Sequence, residues 1–314
     1  MTLPLPTIFF VGTGNMGRPM AANLVKAGYP LIVHDLVRKK VEPLIELGAT
    51  CVDSLAQGAA AADVVMSSLP GPVQVREVML GEGGIMASVR PGTTVIDTST
   101  SAVDLVRELA EVAGQRGFDY LEAPVTNAID FAELGRLSIF VGGDKTCFDR
   151  HLPIFEVIGE KIFHVGVPGN AATIKLLTNL LWFVGAAAIG EGLMLGAKAG
   201  IPLDTVWEAI KSSAGNSWVA EHDVPSIFAG HYDPSFSLAL CCKDLTLINQ
   251  IASSQGHTLT MGSFVHKLFE EARLTYGDEA GELHVVRLME ERTGMFLRPP
   301  LGTANPNAKP AGAQ

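Results

Sequence analysis

Charge is scarce in this 314-residue chain: Asp, Glu, Lys and Arg make up 18%, against 47% hydrophobic residues. That balance excludes disorder along the chain as a whole, because disordered segments combine low hydrophobicity with high charge. Basic blocks are absent too, and 23 Lys and Arg against 33 Asp and Glu leave a formal net charge of −10. Nucleic acid is thereby excluded as the main partner, since phosphate binding needs a basic face. No charge-free stretch reaches the roughly 20 apolar residues of a bilayer span. The nearest, 176–190, is bracketed by Lys175 and Glu191 and reads as a buried helix, so no membrane partner is expected. Only four cysteines occur, Cys51, Cys147, Cys241 and Cys242, none in CxxC spacing; they read as buried reduced thiols. Residues 1–12 carry neither a basic leader nor a small-residue cleavage site, which points to a cytoplasmic protein. The eight histidines show no HxxxH or HExxH spacing, so no metal is expected. A GxSxG nucleophile elbow is likewise missing.

What the chain does contain is a regular alternation. Short apolar, β-rich runs at 8–11, 31–33, 64–66, 94–96, 120–121, 139–141 and 162–163 are separated by helical patterns. Continuous apolar runs between helices predict a parallel sheet covered on both faces. After Gly169 no strand candidate follows. Helical period takes over instead, as where Leu238, Cys241, Cys242, Leu245, Ile248 and Ala252 fall on one face. The first of these helices, 170–199, is expected to be about 45 Å long at 1.5 Å per residue. From Arg298 onward Pro, Gly, Ala and Asn dominate, the composition of a disordered tail.

The first strand runs into Gly12-Thr13-Gly14-Asn15-Met16-Gly17, which opens a helix through Met20, Ala21, Leu24 and Val25. In a GxGxxG loop the first glycine makes the tight turn, the second lets backbone approach a pyrophosphate, and the third lets helix and strand pack closely. Free amides at the helix start then face the phosphates. Asp35 follows the next strand, 18 positions after Gly17. An acid there accepts hydrogen bonds from ribose hydroxyls and repels a 2′-phosphate, which favours NAD over NADP. Arg38-Lys39-Lys40 keeps NADP open, because a folded-back loop brings positive charge to a phosphate. The prediction is an α/β protein: a Rossmann-type doubly wound parallel sheet over 1–166, an all-α domain over 167–297, and the tail, 298–314. In such a sheet the ligand lies at the carboxyl ends of the strands. That nominates Ser68-Leu69-Pro70, Thr98-Ser99-Thr100 and Ala123-Pro124-Val125-Thr126.

At these residues the chain resembles the β-hydroxyacid dehydrogenases, the group containing 3-hydroxyisobutyrate dehydrogenase and tartronate semialdehyde reductase. The likeness covers about 7–292. It rests on Gly12-Thr-Gly-Asn-Met-Gly-Arg-Pro-Met-Ala-Ala-Asn-Leu24, Glu122-Ala-Pro-Val125, Gly135-Arg-Leu-Ser-Ile-Phe-Val-Gly-Gly143, Gly166-Val-Pro-Gly-Asn-Ala-Ala-Thr-Ile-Lys175-Leu-Leu-Thr-Asn179, and Phe236 with Lys243-Asp244-Leu245. The resemblance implies that Leu69, Pro70, Gln74 and Thr100 line the cofactor and that Lys175 is catalytic. It also implies that Asn179 holds substrate, that Lys243 reaches the cofactor and active site, and that the helical domain builds a homodimer or homotetramer. One motif departs: where the family continues Pro-Val with Ser-Gly-Gly, this chain has Thr126-Asn127-Ala128. Thr126 keeps a hydroxyl, Asn127 tolerates left-handed dihedrals, and Ala128 resists them. A carboxylate pocket of altered shape is expected there.

Hydride transfer to or from an alcohol carbon also requires a proton to leave or reach its oxygen. A lysine serves if burial and nearby positive charge bring its pKa toward neutrality. Lys175 lies on an otherwise apolar helix, where an unpaired ammonium is costly. Asn179 is one turn further along the same face. Lys243 either forms a surface pair with Asp244 or adds positive charge that attracts a carboxylate and depresses the pKa of Lys175. The expected function is NAD-dependent oxidoreduction of a small 3-hydroxy acid or its semialdehyde. Alternatives are an imine reductase on the same fold, whose members commonly lack the lysine, and a non-catalytic nucleotide-binding regulatory protein. Trp207, Trp218 and Phe183 are candidate pocket walls, and 215–218 is a candidate lid.

Overall fold

A computed structural model describes residues 4–299, which form two compact units dividing between Leu177 and Thr178. The first unit is built on a nine-stranded sheet. Its strands are β1 (Ile8–Val11), β2 (Leu31–His34), β3 (Thr50–Cys51), β4 (Val64–Ser67), β5 (Thr94–Asp97), β6 (Asp119–Glu122), β7 (Val125–Thr126), β8 (Leu137–Gly142) and β9 (Gly159–Gly166). Their order is β3-β2-β1-β4-β5-β6-β8-β7, with β9 paired to β8. From β3 to β6 every pairing is parallel, with Ile8 opposite both Leu31 and Val64. Ile8, Phe9 and Phe10 are fully buried, as expected of a central strand covered on both faces. Strand order reverses between β1 and β4, which opens a crevice at their carboxyl ends.

The sheet is doubly wound and mainly parallel, as expected, with two features that the sequence pattern did not show. β8 runs antiparallel to both β6 and β7, because the segment between Thr126 and Leu137 is too short for the crossover a parallel pair requires. β3 and β7 were not anticipated; each has two residues, too few to show a period.

The second unit is helical. Among the described residues after Gly169 there is no strand, only an isolated bridge between Ser237 and Gly281. The long helix, Asn170–Lys198, begins in the first unit and continues into the second. There Phe183 and Leu193 join Val219, Leu238, Leu245, Phe269 and Val286 in a buried core. The anticipated face of the Leu238–Ser254 helix is buried at all six positions. By length and composition the long helix suffices to cross a membrane, yet only 39% of its most apolar window is buried within the chain. It is therefore less enclosed than the expected buried helix. Cys147, Cys241 and Cys242 are buried, Cys51 is half-buried, and all four are free thiols. Arg298, at the start of the expected tail, donates to the Ile227 carbonyl and to Glu290; 300–314 lie outside the described residues.

Candidate functional site

The glycine loop meets its three requirements one residue at a time. Gly12 has φ +85° and its Cα faces the Ser68 carbonyl too closely for any Cβ. Gly17 lies against the Gly12 carbonyl, and a Cβ there comes within 3.2 Å of Phe10. Gly14 is the opposite case, with nothing within 4 Å of a Cβ position, so this stretch of backbone is open to a pyrophosphate. Asn15 is exposed and Met16 half-buried at the start of the Gly17–Lys26 helix. Asp35 accepts from the Thr13 amide at 2.8 Å and Thr13 Oγ1 at 3.2 Å through one oxygen, and from the Val37 amide at 2.9 Å through the other. The carboxylate is thus fixed beside the glycine loop with lone pairs to spare for ribose hydroxyls. These residues fit a dinucleotide.

The loops after β4 and β5 are tied together by Asp97, which the sequence reading passed over. Its Oδ1 accepts from Ser67 Oγ (2.8 Å), Ser99 Oγ (2.6 Å) and the Ser99 amide (3.1 Å). Ser99 Oγ in turn accepts from the Leu69 amide at 2.9 Å. Burial pushes the Asp97 carboxyl above its ordinary range, and the serine hydrogen bonds oppose that shift. Leu69, Pro70 and Thr100 follow directly from this buried knot. Gln74 is exposed on the Pro72–Leu80 helix that continues from Pro70. Topology therefore brings the predicted cofactor residues of this unit to the carboxyl edge of β2, β1, β4 and β5.

Thr126, Asn127 and Ala128 leave β7 on the same edge. Asn127 and Ala128 have φ +89° and +63°, so the backbone keeps a glycine-like path that an alanine ordinarily avoids. Asn127 Nδ2 donates to Ser138 Oγ at 3.0 Å, pinning the loop to β8.

Lys175 is only 8% exposed, in the second turn of the long helix. Asn179, four residues on, is buried, and its Nδ2 donates to Asp244 Oδ2 at 2.6 Å. The other oxygen of Asp244 pairs with Lys243 Nζ at 3.0 Å. The Lys243–Asp244 pair exists, but it is no surface pair, because the Asp244 side chain is 1% exposed. Its bond to Asn179 was not anticipated; through it Asp244 is the carboxylate that orients Asn179 and Lys243 together. Phe183 belongs to the core, with its ring near those of Trp182, Phe236 and Phe269. Trp207 sits under the Lys211 ammonium, 3.8 Å from the ring centre. Trp218 is 40% exposed and stacks on His222.

Comparison with known proteins agrees with this geometry. The model of the NAD binding domain of 6-phosphogluconate dehydrogenase matches 7–166, and that of the NAD-binding region of NADP-dependent 3-hydroxyisobutyrate dehydrogenase matches 169–289. The 2-(hydroxymethyl)glutarate dehydrogenase of Eubacterium barkeri is 33% identical over 92% of this chain and 97% of its own. The 3-hydroxyisobutyrate dehydrogenase of Pseudomonas aeruginosa is 36% identical over 83% and 90%. Among solved structures, 3-hydroxyisobutyrate dehydrogenase of Mycobacterium tuberculosis with L-serine has a TM-score of 0.83 at 30% identity, covering 91% of this chain and 99% of that one. An imine reductase from Myxococcus stipitatus is more distant, at 20% identity and a TM-score of 0.60, and shares the fold alone. The chain belongs to the β-hydroxyacid dehydrogenase family of NAD(P)-dependent oxidoreductases.

Proposed function

We propose that this enzyme interconverts a small 3-hydroxy acid and its semialdehyde, with Lys175 as the group that moves the proton and NAD as the preferred dinucleotide. The observation that carries the reading is the burial of Lys175 on an apolar helix turn. A lysine is retained in such a place at considerable desolvation cost, which marks it as a candidate for acid–base work rather than a surface side chain. Bound NAD supplies the hydride acceptor. Lys175 takes the hydroxyl proton as the alcohol is oxidised and returns it to the carbonyl oxygen in reduction. Asn179, oriented by Asp244, is suited to holding a substrate oxygen. Lys243 is a source of positive charge for a carboxylate, and the Thr126–Ala128 loop carries the departure from the family's glycines that bears on substrate shape.

The names of the relatives support the substrate class. 2-(Hydroxymethyl)glutarate, 3-hydroxyisobutyrate and the L-serine of the solved complex all carry a primary alcohol one carbon removed from the carbon bearing a carboxylate. The preference for NAD is supported by the anchored Asp35 carboxylate, and by the pairing of Arg38 with exposed Asp53 at 2.9 Å. The test is Lys175→Ala. Turnover of 3-hydroxy acids is expected to fall by about 10³-fold or more, with NAD affinity, read by fluorescence titration, within about twofold of wild type. Unaltered turnover removes the mechanism.

A further inference from the structure

Helices usually begin on a local cap, a Ser, Thr, Asp or Asn at their own first position. The long helix does not. Its Asn170 side chain instead donates to the Val165 carbonyl at 2.8 Å. The first-turn amides are taken by Glu122, at the end of β6 and about 50 residues away in sequence. Glu122 Oε1 accepts from the Gly169 amide at 2.5 Å and the Ala171 amide at 3.0 Å, and Oε2 accepts from the Ala172 amide at 2.9 Å. Every one of these partners is a donor, the arrangement an ionised carboxylate requires. The side chain is 2% exposed and fills a recess made by Gly142 on β8, the residue paired with it across the strands. A Cβ on Gly142 runs into Oε1 and lies 3.0 Å from Cδ.

Burying a carboxylate to cap a helix is an expensive substitute for a surface serine. What the distant cap supplies, and a local one does not, is a fixed relation between the helix and the sheet. Ala171 lies one helical turn before Lys175, and Glu122 itself opens the Ala123-Pro124-Val125 segment into Thr126–Ala128. We propose that Glu122 is a positioning residue for Lys175: one buried carboxylate locks the turn before the amine onto the strand end from which the substrate loop departs. The inference rests on the reading of Lys175 as the proton-transfer group.

The charge of Glu122 acts as well as its geometry. It faces the positive end of the long helix, and its removal leaves that end uncompensated one turn from Lys175. Burial pushes the Glu122 carboxyl up, the three backbone amides oppose that shift, and Asp97 on β5 adds to it; among the described residues Arg107 is the nearby cation, its guanidinium beside Gly169.

The experiment uses Glu122→Gln, with Gly142→Ala as a second way of dislodging the same side chain. Competitive acetylation of amines across pH, read by peptide mass spectrometry at Lys175, gives the midpoint of that amine without any substrate. Hydrogen exchange at 169–172 reports whether the cap is lost. Glu122→Gln is expected to move the Lys175 midpoint down by about half a unit to one unit. Both variants are expected to lower kcat on the oxidised hydroxy acid about 10- to 100-fold, as displacement of a reacting group does, with NAD affinity within about twofold. A folded variant whose 169–172 amides exchange freely, while kcat and the Lys175 midpoint hold at wild-type values, overturns the proposal. Wild-type protein inactive on every hydroxy acid sinks the functional reading instead, and the labelling midpoint still decides the role of Glu122.

Discussion

Asp223 is a buried acid in the helical unit whose side chain accepts from Trp182 Nε1–H, at 2.8 Å. Burial, with the Asp233 carboxylate adding to it, pushes its pKa from 3.8 to about 6, against the pull of Trp182 and His222. The native state therefore holds a proton that the unfolded chain releases between about pH 4 and 6. Bound protons are more numerous in the folded form over that window, so the contribution of Asp223 to stability falls as pH rises through it. Above about pH 6 the cost is complete, roughly 3 kcal/mol at 1.36 kcal/mol per unit. Asp223→Asn keeps an acceptor for Trp182 and removes the charge. Urea denaturation at pH 7 is expected to show the variant about 1–3 kcal/mol more stable than wild type, the gap closing toward pH 4. A gap of the same size at both pH values contradicts this. Glu282 has the same sign: its carboxyl is pushed well above the ordinary range by burial and the Asp233 charge, and neither oxygen has a hydrogen-bond partner among the described residues.

The Thr126–Ala128 loop shows how an element keeps its path after its glycines are gone. Asn127 tolerates φ +89° and gains the Ser138 bond, whereas Ala128 at φ +63° bears a steric cost of about 1–2 kcal/mol. Ala128→Gly removes that cost and returns about 0.5–1 kcal/mol to the unfolded chain as entropy. Thermal melts are expected to show a net gain of about 0.5–1 kcal/mol, a rise of roughly 1–4 °C; an unchanged or lower midpoint places no strain there. The same contrast explains what could be read in advance. The glycine loop was legible because what Gly12, Gly14 and Gly17 must satisfy lies within a strand–turn–helix of a dozen residues. Lys175 and Asn179 were legible only through a family motif, since nothing in a lone lysine on an apolar helix separates burial from a snorkelling surface position. Asp97, Glu122 and Asp244 went unread as organisers because the partners they bring together, Ser67, Ala172 and Asn179, lie about 30, 50 and 65 positions away. Their one local mark is an acid standing at the end of an apolar strand or within a buried helix face.

At the scale of the whole molecule, the long helix leaves apolar surface uncovered. Leu181 and Leu195 are 71% and 72% exposed, and Ala188 and Gly192 are exposed as well. Spacings of 7, 11 and 14 residues place all four on one helical face. Met261 and Phe264, on the Thr260–Tyr276 helix, are also more than half exposed. An apolar stripe along one face of a long helix marks an association surface, and a second copy is the occupant we propose, in a homodimer or homotetramer. Light scattering on the eluting protein is then expected to give twice or four times 33.2 kDa, and the thermal midpoint should rise with protein concentration. Leu181→Glu combined with Leu195→Glu forces two charges into the contact and should return the mass to 33.2 kDa. Dinucleotide binding should survive in that variant, because the glycine loop and Asp35 belong to the other unit. A wild-type monomer at micromolar concentration defeats the proposal outright, and a double variant that keeps the multiple mass moves the contact to a different face.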